Sequence, residues 1–324
     1  MTVLTDTNVN KILVNDSRAT GVSCIGEGGE EFTLNATKEV LLSSGAFGSP
    51  QVLLRSGIGP EQEITKHGIE HKVELPGVGK NLQDHIDYLS VHKYKSLNLF
   101  GFSLGTIFLK YPYELIKYLL IKTGMFTSTV AEAGGFIRSR NDITVPDIQL
   151  HFAPGMVVDH GRESVWGTGL SCHTCLLRPK SRGEVTLQSA DPTDDPKIDP
   201  KFLSHPDDMR DMVAGYKKMM KVMNKEPLSK YTSGHVQRPV DLDNDEDIEQ
   251  AIREDADTVY HPVGTCKMGS DEMSVVNERL KVHKVSGLRV IDASIMPTLV
   301  GGNTNAPTIM IGEKASDMIL EDWA

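Results

Sequence analysis

The sequence predicts an α/β domain joined to a second domain of α+β character, in which an antiparallel sheet carries helices. Three sets of residues lead there. Residues 288–319 begin with a short apolar run, Leu288 to Ile291, the length of a buried strand. A Pro/Gly/Asn-rich crossing follows over 297–305, and then a helical pattern over 306–320. Residues 40–56 hold a buried strand at 40–43, a glycine turn and a short helix. In the middle of the chain, residues 133–137, 147–152, 170–177 and 183–187 alternate like strands of an antiparallel sheet.

Composition sets the outer limits. At 324 residues, with 39% hydrophobic and 24% charged residues, the chain is long enough for one large or two ordinary globular domains. Its net charge of -10 argues against nucleic acid or an anionic membrane as partner, because both select basic surfaces. Cys24, Cys172, Cys175 and Cys266 make no disulfide framework for this length. Cys172-His173-Thr174-Cys175 has redox spacing, but its apolar flanks read as a strand and a structural role. Neither a second CxxC nor an HxH completes a metal site. The start, MTVLTDTNVN, lacks the basic and apolar runs of a signal peptide. The least polar window, 96–109, is shorter than the roughly 20 residues a membrane span needs. Asn15 and Asn35 lie in glycosylation sequons, which permit secretion.

In chain order, residues 11–14 and 21–25 read as strands, and Gly26-Glu27-Gly28-Gly29 as a tight hairpin into 31–34. That glycine cluster has the wrong spacing for a dinucleotide fingerprint, and a hairpin follows where a helix should. After the 40–43 strand, Ser49 as N-cap, Pro50 at the first helical position and Gly57 just past the end predict a helix over 51–56. Residues 100–126 are rich in Phe, Tyr, Leu and Ile with scattered lysines and hold a helix over 112–122 ended by Gly124. This segment reads equally as a core helix and as a lid or apolar contact surface. Met209, Met212, Val213, Tyr216, Met219 and Met220 recur at helical spacing and predict a core-facing helix over 206–224. The acidic run 241–249 reads as a solvated loop and helix start. Thr304 or Asn305 suits the cap of the last helix, and Pro307 its first turn. A strand that delivers the chain to a helix N-terminus offers free N–H groups to an anionic or electron-accepting ligand, although an ordinary strand–loop–helix unit has the same pattern.

Three motifs together carry a resemblance: GAFGSPQVLLRSGIGP at 45–60, YHPVGTCKMG at 260–269, and the 288–319 stretch. In that order they resemble the glucose-methanol-choline (GMC) family of flavin-dependent alcohol oxidoreductases, most closely the insect glucose-dehydrogenase-like branch. GVGKNLQDH at 77–85 and RPKSRGEVTLQSADPTDDPKIDPKFL at 178–203 match further landmarks of the family, with His85 read as structural. The resemblance covers essentially the whole chain, but only the C-terminal portion of the family. It implies a partial FAD-binding domain at 1–84 and 261–324 and a substrate domain at 85–260.

The resemblance also implies an activity: oxidation of the CH–OH group of an alcohol or sugar, with hydride passing to flavin N5 and then electrons to an acceptor such as a quinone. An alcohol releases hydride readily only if its hydroxyl proton leaves as well, which calls for a base and for a donor to the developing alkoxide. His261 matches the family's base, and imidazole is mostly neutral at working pH. Gly264 would permit close packing against a ring system. Asn303 matches the second catalytic position, where an amide can hold the substrate oxygen. Flavin contacts carried over on the same basis are Val9, Gly45, Ala46, Asp292, Ala293 and Thr304. The family's opening strand–GxGxxG–helix unit has no counterpart here, which predicts unpaired sheet edges and exposed apolar faces. Three readings follow: the C-terminal portion of an FAD-dependent dehydrogenase, a truncated flavin-free relative that binds a small molecule or a protein, and an incompletely recorded gene product. The branch it resembles suggests secretion.

Overall fold

Antiparallel strands Asn8–Asn15, Arg18–Ile25 and Glu31–Asn35 form a three-stranded meander in the computed structural model, which describes residues 2–232 and 234–324. The turn at 26–30 is the predicted hairpin: Gly29, with φ +81°, donates to Gly26 O at 3.0 Å. The chain divides into two units. The first comprises Met1–Asp84, Ser181–Ser204 and Tyr260–Ala324, and the second His85–Lys180 and His205–Val259.

In the first unit, Val40–Leu42 runs parallel to Leu288–Val290. Helix Gly45–Arg55 packs behind them, with Leu53, Leu54, Val263, Cys266 and Val290 in one fully buried core. Buried Arg55 closes that helix onto the meander, donating to Asn10 O at 2.9 Å and Val9 O at 3.3 Å. Among the described residues, Val40–Leu42 has no ladder partner besides Leu288–Val290, and Leu41 is 48% exposed. The predicted unpaired edge is thus present.

Two expectations need correction. The helix predicted over 51–56 begins six residues earlier, at Gly45, with Pro50 inside it. A proline in a helix leaves the carbonyl four residues back without its N–H partner. Here that carbonyl is Ala46 O, and the Thr265 hydroxyl donates to it at 2.6 Å. Residues 181–204, expected in the intervening domain, pack in the first unit instead. Their strand Glu184–Thr186 pairs with Lys197–Asp199 rather than joining the large sheet, and Val185 N donates to Gly79 O at 2.7 Å.

The second unit is an antiparallel sheet in the order Asp257–Thr258, Ile86–Lys93, Gly167–Leu176, Ile148–Ala153, Ala133–Ile137. Helix Pro206–Met223 buries its methionines against one face, as its spacing predicts. A Cβ on Gly215 would come within 2.8 Å of Ile148 Cδ1, so glycine sets how close the helix lies. Cys172 and Cys175 are buried within a strand and in no disulfide, in keeping with their structural reading. The 100–126 segment is not a core helix. It forms a π-turn, Thr106–Lys110, and a helix, Tyr111–Ile121, whose apolar residues are largely exposed. That helix ends on Lys122 in the left-handed region (φ +54°), ahead of the expected Gly124.

Candidate active site

All the residues proposed for catalysis and cofactor contact lie in the first unit. Asp292, just past the Leu288–Val290 strand, is buried, and its carboxylate accepts from Gly45 N at 3.0 Å, Ser49 Oγ at 2.5 Å and Ser294 N at 2.8 Å. A carboxylate at a helix N-terminus satisfies an otherwise unpaired amide and meets the positive end of the dipole. The Asp292 side chain therefore braces the turn, and Ser49, expected as an N-cap, sits inside the helix and joins this brace. Gly45 adopts φ +77°, and a Cβ built there meets nothing within 4 Å. Backbone conformation, not crowding by the protein, selects glycine, and open space lies in front of the turn.

His261 is half-buried in the loop after exposed Tyr260, and its backbone N–H is held by Asp84 Oδ1 at 2.9 Å. Two residues on, Val263 exchanges both backbone hydrogen bonds with Gln83, at 2.9 and 3.0 Å. Gly264 has φ +94°, and a Cβ on it would approach Asn81 O to 2.6 Å. The close approach expected of Gly264 is thus to the chain's own Asn81. Beyond it the loop runs beside the segment after Asp292: Gly264 N reaches Ala293 O at 3.3 Å, and Cys266 N reaches Ser294 O at 2.9 Å. Burial raises the pKa of the Cys266 thiol, so it stays protonated.

Asn303 is exposed in the loop that precedes helix Asn305–Trp323. Thr304 occupies the N-cap position, but its side chain makes no capping bond; its carbonyl accepts from Thr308 N at 3.1 Å. Gln83 ties this loop to the histidine loop. Its Nε2 donates to Pro297 O at 3.1 Å, and its Oε1 accepts from Leu299 N at 3.1 Å. Asn81 adds bonds from its Nδ2 to Gly264 O at 3.2 Å and Pro297 O at 3.3 Å. Two short amide side chains thus hold together loops that lie some 35 to 40 positions apart in sequence. Val9 lies on the first strand, opposite Cys24, with its carbonyl taken by Arg55. Ala46 and Ala293 contribute their carbonyls to Thr265 and Gly264.

Sequence reasoning missed Asn81, Gln83, Asp84 and Thr265 as residues that shape the site. The polar run Asn81-Leu82-Gln83-Asp84 was the available signal, because a buried amide or carboxylate needs partners to offset its desolvation. His85 is fully buried, with Nε2 3.3 Å from Leu177 O, as its structural reading requires.

Two GMC oxidoreductase family models match the chain, the N-terminal one over residues 1–87 and the C-terminal one over 179–312. An alcohol dehydrogenase [acceptor] of Pseudomonas putida is 42% identical over 322 residues, 98% of this chain and 58% of that protein. An oxygen-dependent choline dehydrogenase of Escherichia coli K12 is 40% identical, with 98% of this chain and 57% of that one covered. Among solved structures, formate oxidase from Aspergillus oryzae RIB40 superposes with a TM-score of 0.89 at 28% identity, covering 98% of this chain and 60% of that one. An FAD-dependent oxidoreductase from Chaetomium thermophilum does so with a TM-score of 0.85 at 26% identity, covering 98% and 61%. The chain therefore spans about three-fifths of the length of these relatives.

Proposed function

The chain belongs to the GMC oxidoreductase family, and from that membership we propose that it serves FAD-dependent oxidation of an alcohol CH–OH group, with His261 as base and Asn303 as the partner of the substrate oxygen. The observation that carries this reading is the Gln83 bridge, which joins the His261 loop and the 297–299 turn ahead of Asn303 through one buried side chain. The glycine turn at Gly45, with open space where a side chain would stand, suits close approach of a planar ring system, and Ala293 and Thr304 would offer backbone contacts. When bound, the flavin supplies the two-electron acceptor.

The chain's own residues do the rest. His261 takes the hydroxyl proton as the C–H bond breaks, with its loop held by Asp84 and Gln83. The Asn303 amide donates to the oxygen as negative charge builds there, and exposure on a loop leaves it accessible to substrate. Asn303 cannot take a proton, so the roles do not interchange. The alcohol and choline dehydrogenases among its relatives support a small alcohol as substrate. A quinone-type acceptor is the reading we favour over oxygen, only because the insect branch that the motifs resemble contains dehydrogenases.

The test is to purify the chain with FAD and record both the flavin spectrum and its bleaching by alcohols without oxygen. Stoichiometric flavin reduced by an alcohol is expected, and His261→Ala should slow reduction by ~10²-fold or more while flavin stays bound. Flavin that binds but is never reduced by any alcohol would overturn the assignment. A chain that binds no flavin would point instead to a flavin-free binding protein.

A further inference from the structure

We propose that the Thr106–Ile121 segment of the second unit is a membrane-surface helix that seats its apolar side in the headgroup region of an anionic bilayer. Its amphipathicity is inverted. The charged side chains Lys110, Glu114 and Lys117, spaced i, i+4 and i+7, point inward, and Glu114 is buried. Its carboxylate pairs with Lys110 at 3.2 Å and accepts from Met125 N at 2.7 Å, which holds its pKa below the usual carboxylate value. Away from Glu114, the helix Tyr111–Ile121 carries Leu115, Ile116, Leu119 and Leu120, and the π-turn before it carries Phe108 and Leu109, all exposed, Leu120 to 77%. A soluble surface helix has the reverse arrangement, so this helix turns to water the side that ordinarily faces a core.

Charge selects the occupant. Residues 93–122 carry five lysines and one glutamate, a net charge of +4, so the rest of the chain carries -14. Lys93 and Lys95 are exposed ahead of the helix, where Leu97 packs at Gly105, and Lys122 is exposed at its far end. The basic, apolar segment of an acidic chain complements anionic headgroups. Those six residues carry no hydrogen-bonding group, and Tyr113, exposed on the same helix, joins an apolar ring to a hydroxyl, a combination that suits a membrane interface. No helix among the described residues is long and apolar enough to cross a membrane, and at roughly 1.5 Å per residue this one falls short of a ~30 Å core, so it lies along the surface. The overall charge of -10, which by itself argues against such a partner, conceals this local reversal.

The inference does not depend on the redox reading, because its readout is partitioning, not turnover. The full chain is sedimented with 100 nm vesicles of phosphatidylcholine alone or with three-tenths phosphatidylglycerol, at low and high salt. Binding to the anionic vesicles that weakens with salt is expected. Ile116→Asp/Leu120→Asp should lower it at least tenfold with an unchanged circular dichroism spectrum, and Lys95→Glu/Lys122→Glu several-fold. Leu120→Ser, a milder change, guards against misfolding and should lower it by a smaller factor. A chain that stays in the supernatant with both vesicle types overturns the proposal, as does a double-aspartate variant that binds like the parent. Dimers in solution that the same variant converts to monomers, without vesicle binding, would assign this face to a second copy of the chain and equally overturn it.

Discussion

The Asp292 carboxylate accepts a hydrogen bond from the Ser49 hydroxyl at 2.5 Å, joining the end of a buried parallel strand to the second turn of helix Gly45–Arg55. The same carboxylate takes the Gly45 and Ser294 amides, so three donors share one side chain. Asp292→Ala would leave all three donors without their acceptor, those of Ser49 and Ser294 in buried surroundings. A loss of about 3 kcal/mol of stability is expected from the desolvation of orphaned donors. A lower urea midpoint at unchanged slope measures it, with Asp292→Asn, which keeps one oxygen, falling between.

Gln83 acts through loop position, since its amide is spent on Pro297 and Leu299. Gln83→Leu should therefore lower kcat at least tenfold while the flavin spectrum is kept, because small displacements of a reacting group are costly. Gln83→Glu keeps the acceptor for Leu299 N and loses the donor to Pro297 O, and partial activity is expected. Equal kcat in parent and Gln83→Leu would remove this role.

The thiols offer a test of packing. Cys24, Cys172, Cys175 and Cys266 are buried and in no disulfide, and burial pushes the Cys172 thiol up to about 12. A thiol-reactive dye at pH 8 should label none within minutes and all four in guanidinium chloride. Rapid labelling of a pair in the folded chain would mean that the CxxC stretch is not held in its strand.

Acid should destabilise the second unit through its buried histidines. His92 is fully buried, with Nε2 2.8 Å from Ser90 Oγ, and burial, helped by the neighbouring His235, pushes its pKa down to about 4. Burial lowers His151 as well. Unfolded, both would bind protons near pH 6.5, so the unfolded state gains protons that the folded state refuses, and stability falls as pH drops from about 6.5 toward 4. Urea midpoints across that window should show the slope, and His92→Phe should flatten it.

Much of this architecture was legible in sequence because it is written in local rules. The Gly26–Gly29 hairpin needs residues that tolerate turn geometry, and the methionine helix at 206–223 repeats its apolar positions every three or four residues. The strand Ile86–Lys93, second in its sheet, was not legible. It is buried on both faces, so Asp87, Ser90 and His92 break the apolar run without producing an alternation. The early start of the Gly45 helix was hidden too, because Pro50 is tolerated only where a hydroxyl 219 positions away takes up the freed carbonyl.

The sequence by itself determined most of the element types, the two motif loops and, through the family resemblance of those loops, His261 and Asn303 as candidates. Tertiary structure alone decided what holds those loops: Asn81, Gln83, Asp84 and Thr265 act on partners far along the chain, and no local pattern encodes a hydrogen bond across 177 to 219 positions. It also decided which way the 106–121 helix faces. The heptad spacing of an apolar stripe is the same whether that stripe meets a core or water, and only the packing of Glu114 settles the direction.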